Sequence, residues 1–420
     1  MAKPKLALIP AAQGSKFYSV LPSSGVGDFT FSRSGSATRI NSQGLIEAVA
    51  DGVSRLNYPM IDGKVVGCPH HILEPSRTNK LSTSNDFNGS GWLISNITAT
   101  ANQVVSPDGT LNASKLEMTG NGSLRNISEA SFNDGYAYSI FIKKGNSRYV
   151  TIRSAFFTQS IVVGFDLDTL TAQTNGKIED YGNDWYRLSI TKDISGDADK
   201  SGFFYLYLPN SLGSQTSESG NYAYFYGGQI EDGSYPTSYI PTNGSSVTRS
   251  AETATGSGDA STFNDSEGVL MAEISGFSSD ATANDSISIR GASNDNRLYI
   301  YRSSSDNKYG FAVFSGSSLE CNIKSNVVDF SENVKIAVKY KANDFALYLN
   351  GTEVNTHTSG STPIGLSELS FDVGGGSNHF YGNTKQLQYF DSALTDSELE
   401  TLTSWVSFSD MANGQLYTIQ

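Results

Sequence analysis

The chain has 420 residues, more than one hydrophobic core normally serves, so two or three domains are expected. With 41 glycines, 22 tyrosines, 22 phenylalanines and 17% charged residues, and without leucine-rich helical periodicity, it has an all-β profile rich in turns. A net charge of −13 argues against nucleic acid as a partner, and the want of any apolar run of about 18 residues argues against membrane insertion.

Residues 1–10 hold only the short apolar run 6–10 and no cleavage-site pattern, so no secretory signal is expected. Residues 1–80 carry 9 Lys+Arg against 5 Asp+Glu, a net of +4, whereas the other 340 residues carry 20 against 37, a net of −17. Either the first segment docks on an acidic surface, or charge varies by chance along the chain. Few alternating runs occur here beyond 6–9 and 29–31, so the segment should be loop-rich and need a partner to complete its fold. Arg33, Arg39, Arg55 and Arg77 recur through it. Their planar forks suit either internal ties to carboxylates and carbonyls or attachment to another protein. The pair His70-His71 lacks further ligands at metal-site spacing and reads as a loop pair, solvated or hydrogen-bonded. Cys68 and Cys321 lie in separate expected domains, which argues against a disulfide.

Residues 81–252 read as an antiparallel β-sandwich. Candidate strands fall at 114–118, 137–143, 149–153, 161–166, 185–191, 203–209 and 222–226, separated by Gly-, Asn- and Asp-rich turns. In 185–190, W-Y-R-L-S-I, alternation puts Tyr186, Leu188 and Ile190 on one face and Trp185 with Arg187 on the other. An exposed Trp beside an Arg would make a sugar platform, so both are candidate glycan-binding residues; the structural alternative is a Trp under a loop. Gly227-Gly228 marks a bulge or a close backbone approach. Pro236 and Pro241 take residues 235–242 out of the sheet as an extended strap.

The stretch 227–242, G-G-Q-I-E-D-G-S-Y-P-T-S-Y-I-P-T, followed by V-T-R-S-A-E at 247–252, resembles a segment of phage virion proteins. There it ends a carbohydrate-binding-module-like β-sandwich. F-S-R-S-G-S-A-T-R at 31–39 and L-E-P-S-R-T-N at 73–79 resemble the same proteins, and W-Y-R-L-S is similar to one of their strands. The resemblance implies a virion exterior protein made in the host cytoplasm. Its expected partners are capsid or tail proteins, held through residues 1–80, and host-surface glycans. It also implies a homo-oligomer, with a trimer among the options.

Residues 253–262, T-A-T-G-S-G-D-A-S-T, are small, polar and unpatterned and read as a linker. Residues 263–405 form the last domain, with strands expected at 268–274, 286–290, 297–302, 309–314, 334–340 and 345–349. Asn350-Gly351 favours a type I′ hairpin, and Thr395 to Glu398 spells a capping box before Leu399 and Leu402. A-L-Y-L-N-G-T-E-V at 346–354 resembles the central hairpin of concanavalin A-like (laminin G-like) lectin folds, and residues 380–402 resemble their closing strand and helix. Residues 406–420 read as a tail.

That fold also serves glycosidases, which need two carboxylates facing across the substrate. The last domain has no E-x-D-x-x-E strand, and Glu368 with Asp372 falls on what reads as a core strand. A non-enzyme is expected. No cofactor is expected either, structural calcium being the one open option. Its candidates are Asp295 between two asparagines, Asp193 with Asp197 and Asp199, and Asp166 with Asp168. The chain is therefore read as all-β, a loop-rich attachment segment followed by two jelly-roll sandwiches, working as a virion fibre or adhesin that binds host glycans. A capsid decoration protein and a polysaccharide depolymerase are the alternatives.

Overall fold

The computed structural model describes residues 3–10, 14–88, 91–126, 128–156, 160–278, 284–406, 410 and 413–415. Most of the expected tail lies outside them. Every pairing between the named strands is antiparallel, and a helix, Asp396–Ser404, follows the last of them.

The first sandwich is one sheet folded on itself. Leu111–Asn126 is long enough to bond Ser201–Tyr207 through Leu124 and Arg125 and Tyr222–Asp232 through Ser114 to Glu117. One layer continues from Ser201–Tyr207 to Tyr149–Phe156 and Ile161–Asp166, the other from Tyr222–Asp232 to Gly135–Lys144 and Trp185–Asp193. Alternation sends Val150, Ile152, Phe204 and Leu206 from the first layer against Tyr138, Ile140, Leu188 and Ile190 from the second. Each such apolar side chain contributes roughly 1.5–3 kcal/mol on burial. The expected bulge is present. The register with Gly135–Lys144 shifts between Ser139 and Phe141, opposite Gly227-Gly228. Gly227 sits at φ +60, and a Cβ there would meet the Phe141 ring at 2.8 Å; one on Gly228 would meet Trp92 at 2.9 Å.

The second sandwich pairs a large sheet with a five-stranded one. The large sheet runs Gly382–Phe390, Glu267–Ser275, Val334–Lys341, Phe345–Leu349, Thr352–His357. The smaller runs Ser318–Val327, Lys308–Ser315, Arg297–Ser303, Asp285–Arg290, Glu368–Ser370. Asn350 and Gly351 both have positive φ, 46° and 84°, as a type I′ turn requires. Thr395 and Glu398 form the capping box, and Leu399 and Leu402 are buried.

Residues 1–80 are not a separate module. Leu6–Leu8 and His70–Leu73 both pair with Gly382–Phe390 and extend the second sandwich's large sheet. Leu6, Leu8, Phe17, Phe29, Phe31 and Leu73 belong to that sandwich's core. The partner that completes this segment's fold is the rest of the chain. The stretch expected as a linker is also tied down. Thr253–Thr255 pairs with Phe29–Ser32, Ala254 is fully buried, and Ser257 exchanges backbone bonds with Leu369. Small polar composition signals a linker only where backbone groups face water, and here they are spent on strand pairing.

Candidate functional site

Three arginines and two glutamates meet at a buried network. Glu252 accepts from Arg33 Nη1 and from Arg55 Nε, each at 2.8 Å. Glu74 is held by Arg55 Nη2 and Arg249 Nη1, each at 2.7 Å, and by the Ser238 backbone N–H and hydroxyl at 2.7 and 2.6 Å. Burial alone would raise the Glu74 carboxyl; Arg249 and Arg55 outweigh it and hold it down to about 2. Arg33 comes from the 31–39 text, Glu74 from 73–79, Ser238 from the strap, and Arg249 and Glu252 from 247–252. The separate pieces on which the phage resemblance rests thus converge on one structural knot.

That corrects two of the attachment candidates. Arg33 and Arg55 have fully buried side chains and are spent inside the molecule. Arg39 pairs with Glu47 at 3.1 Å near the surface. Arg77 is half-buried, with its guanidinium 5.6 Å from the Tyr235 ring.

The glycan candidates are corrected as well. Trp185 and Arg187 do share a face, but the face is covered. Trp185 is 2% exposed, packs among Phe141, Tyr226, the strap's Tyr239 and Ile46, and donates Nε1–H to the Val105 carbonyl at 2.9 Å. Arg187 donates to Ser139 Oγ and the Thr237 carbonyl, at 2.9 and 2.8 Å. Alternation told which residues share a face; what would be laid over it came from residues 46 and 239, far away in sequence. Arg187 and Arg39 do line one common cleft of about 730 Å³ between residues 38–74, the first sandwich and Phe277.

His70 and His71 are in a strand, not a loop. Both are buried, and His71 stacks on Phe17 at 3.8 Å. Burial depresses His70 to about 4 and His71 to about 3, so both are neutral. Of the calcium candidates, Asp295 accepts from Ser293 and Ser317 hydroxyls, Asp193 from the Ser195 N–H, and Asp197 lies 3.9 Å from Lys192. Asp166 pairs with Arg148 at 2.7 Å. Among the described residues no three His, Cys, Asp or Glu side chains gather as metal ligands would.

A surface that sequence reading missed lies on the outer side of the five-stranded sheet. Its inner residues Ile287, Leu298, Ile300, Phe311 and Val313 are core, so their neighbours face out. The registers set three rows across the strands. One holds Glu368, Arg290, Arg297 and Phe314. The next holds Ser370, Ser288, Tyr299, Ala312 and Asn322. The third holds Ser286, Tyr301, Gly310 and Lys324. Small residues form the floor, and three half-buried aromatics, Tyr299, Tyr301 and Phe314, stand on it. A Cβ at Gly310 would collide with the Tyr301 ring, so glycine lets that ring lie down. Tyr301 donates its hydroxyl to Asn322 at 2.7 Å, and burial pushes that hydroxyl up to about 12, keeping it neutral. The Arg297 guanidinium lies 4.4 Å from the Phe314 ring, and Arg290 pairs with Glu368 at 2.8 Å. Flat apolar rings flanked by fixed polar groups can take the two sides of a sugar.

Fold and topology together define an all-β chain built of antiparallel β-sandwiches. Residues 277–400 match the family model described as the concanavalin A-like lectin/glucanases superfamily, so this part of the chain carries a concanavalin A-like domain. No curated protein matches the chain. Similar solved structures include a Ruminococcus gnavus IT-sialidase CBM40 bound to α2,3-sialyllactose, 17% identical, covering 33% of this chain and 84% of that one at a TM-score of 0.29. A leech intramolecular trans-sialidase is 16% identical over 34% of this chain and 24% of that one, at 0.30. A heptameric SAP-like pentraxin from Limulus polyphemus is 16% identical over 34% and 71%, at 0.27. Likeness at TM-scores this low says nothing of function.

Proposed function

We propose that the chain is a glycan-binding adhesin of a phage particle, and that its sugar site is the outer face of the five-stranded sheet. The observation that carries the binding reading is the Tyr299–Tyr301–Phe314 platform inside the matched domain. Pyranose rings present an apolar face that such rings cover, while Asn322, Arg297 and Lys324 offer hydrogen bonds at the rim. The resemblance of the 31–39, 73–79 and 227–252 text to phage virion proteins supports the particle, whose repeated copies would turn weak sites into firm attachment. The reading is of a binder that does not cut: Glu368 is tied to Arg290, and Asp372 is buried and accepts the Gly374 N–H at 2.7 Å. Carboxylates engaged in this way support a binding reading over a hydrolytic one, which needs two free carboxyl groups.

On an array of host polysaccharides the purified chain should retain a glycan without shortening it. Replacing Tyr299 and Tyr301 together by Ala should lower retention at least about tenfold, as loss of stacked aromatic anchors does. Undiminished retention by a folded double variant removes the platform, and released oligosaccharide removes the binder. Mass spectrometry of purified particles tests the virion assignment, which fails if the chain is absent from them.

A further inference from the structure

The outer face of the first sandwich's other layer is open, and it carries a second arrangement of aromatics and cations. Ser201–Tyr207 lies between Leu111–Asn126 and Tyr149–Phe156. Register places Arg125 opposite Tyr205 on one side and Arg153 opposite Tyr205 on the other, giving a cross-strand row Arg–Tyr–Arg. Phe204 and Leu206 point into the core, so Phe203, Tyr205 and Tyr207 share the outer face. The Arg125 guanidinium sits 4.3 Å from the Phe203 ring and 5.8 Å from Tyr205; that of Arg153 sits 5.6 Å from Tyr205. The Tyr205 and Tyr207 rings are 12° from parallel. Arg125, Arg153, Phe203 and Tyr205 are all half-buried, held in place but open to solvent.

What these arginines lack is a carboxylate. Arg33, Arg39, Arg55, Arg148, Arg249, Arg290 and Arg302 each pair with one. Among the described residues Arg125 and Arg153 have no such pair, and neither do Arg77, Arg297 and the buried Arg187; Arg125 and Arg153 differ in flanking one tyrosine on the same sheet face. Arg125 reaches the Asn126 carbonyl at 3.4 Å, and Arg153 lies over the Tyr205 ring. In a chain of net charge −13 with acidic groups in excess, two unneutralised guanidiniums on one open face form a local positive spot.

We infer that this face is a second glycan site, one for sugars that carry a carboxylate, within an acidic polysaccharide. The guanidinium fork matches a carboxylate bidentately, and Tyr205 and Phe203 between the forks offer flat surfaces for the ring that bears it. A neutral sugar would leave both charges unused. The site lies on the first sandwich, apart from the concanavalin A-like platform on the second.

The test uses the full chain carrying Tyr299→Ala and Tyr301→Ala, so that the other platform is silent. Retention on immobilised polygalacturonate and on polysialic acid is compared with retention on uncharged dextran. The site predicts retention on at least one acidic polymer, none on dextran, and weakening as salt rises. Adding Arg125→Ala with Arg153→Ala should lower acidic-polymer retention at least tenfold at an unchanged melting temperature. If that variant fails to fold, Arg125→Gln with Arg153→Gln and, separately, Tyr205→Leu take its place. Retention of neither acidic polymer overturns the inference, as does equal retention by a folded arginine variant. Because the Tyr299/Tyr301 platform is tested separately in the unmodified chain, failure of this test overturns the second site and leaves the proposed function standing.

Discussion

At the scale of single residues the chain is governed by what lies over each side chain. Arg33 and Arg55 look like surface cations by composition, yet both end in a dry knot with Glu74, Glu252 and Arg249. Removing one partner of such a knot leaves a buried charge unpaired, which costs roughly 3–5 kcal/mol. Arg55→Ala should therefore lower the urea midpoint sharply. Arg39→Ala, which breaks only the pair with Glu47 near the surface, should cost less than about 1 kcal/mol. Equal effects from the two would mean the knot is not dry. The histidines give a pH signature. His70 and His71 are depressed from 6.5 to about 4 and about 3 by burial, so the unfolded chain binds protons in that window and the native chain does not. Their contribution is fully present above pH 6.5 and falls away as pH drops toward 4. Stability should drop by roughly 1–2 kcal/mol per histidine between pH 7.5 and pH 5. His71→Phe, which keeps the stack on Phe17, should flatten that slope in denaturation curves taken across the range. An unchanged slope would locate the effect elsewhere.

At the scale of elements most of the fold was legible, because period-2 alternation and turn chemistry are local signals. The strands at 137–143, 185–191, 297–302 and 334–340, the Asn350-Gly351 turn and the Thr395 capping box all appear where their residues call for them. The Gly227-Gly228 bulge was legible for the same reason. Its glycines are required twice over, by φ +60 at Gly227 and by the Phe141 and Trp92 rings against both. Gly227→Val should cost at least about 2 kcal/mol, since it meets both demands. Gly52→Ala, at φ +69 with open space around it, should cost only about 1 kcal/mol, and chemical denaturation of the two variants separates strain from crowding. What was not legible is long-range. Trp185 and Arg187 were placed on the right side of their strand, but Tyr239 and Ile46, which cover that side, lie 54 and 139 positions from Trp185. The Tyr299–Tyr301–Phe314 platform needed the register of two hairpins before its members could be seen as neighbours. Nothing in the alternation of one strand says which neighbour stands beside it.

At the scale of the whole molecule the sequence divides more readily than the structure does. The text reads as segment, sandwich, linker, sandwich, yet Leu6–Leu8 and His70–Leu73 are strands of the last sandwich and the stretch 253–255 is sheet. Residues 263–405 expressed alone would leave the edge of Gly382–Phe390 without these partners and would expose core surface now covered by Phe17, Phe29, Phe31 and Leu73. A bare edge strand beside exposed apolar side chains is a route to aggregation. The fragment should therefore be oligomeric or aggregated on size exclusion, and its unfolding should be broad. Residues 1–80 joined to it through a flexible tether should restore a monomeric elution and a single cooperative transition, because the missing strands are returned. A fragment 263–405 that is monomeric and unfolds as sharply as the full chain would show that the added strands are ornament to a complete domain. The same reasoning changes what deletion of residues 1–80 can report. Loss of that segment removes strands from the last sandwich and three partners of the buried knot, Arg33, Arg55 and Glu74, so failure to join a particle would follow from unfolding alone. Attachment is better tested by reversing exposed charge on that segment, Lys64→Glu for example, which leaves strands and knot in place. If residues 1–80 dock on an acidic surface, particle incorporation should fall while the melting temperature holds; unchanged incorporation would remove the docking reading and leave the segment a purely internal part of the fold.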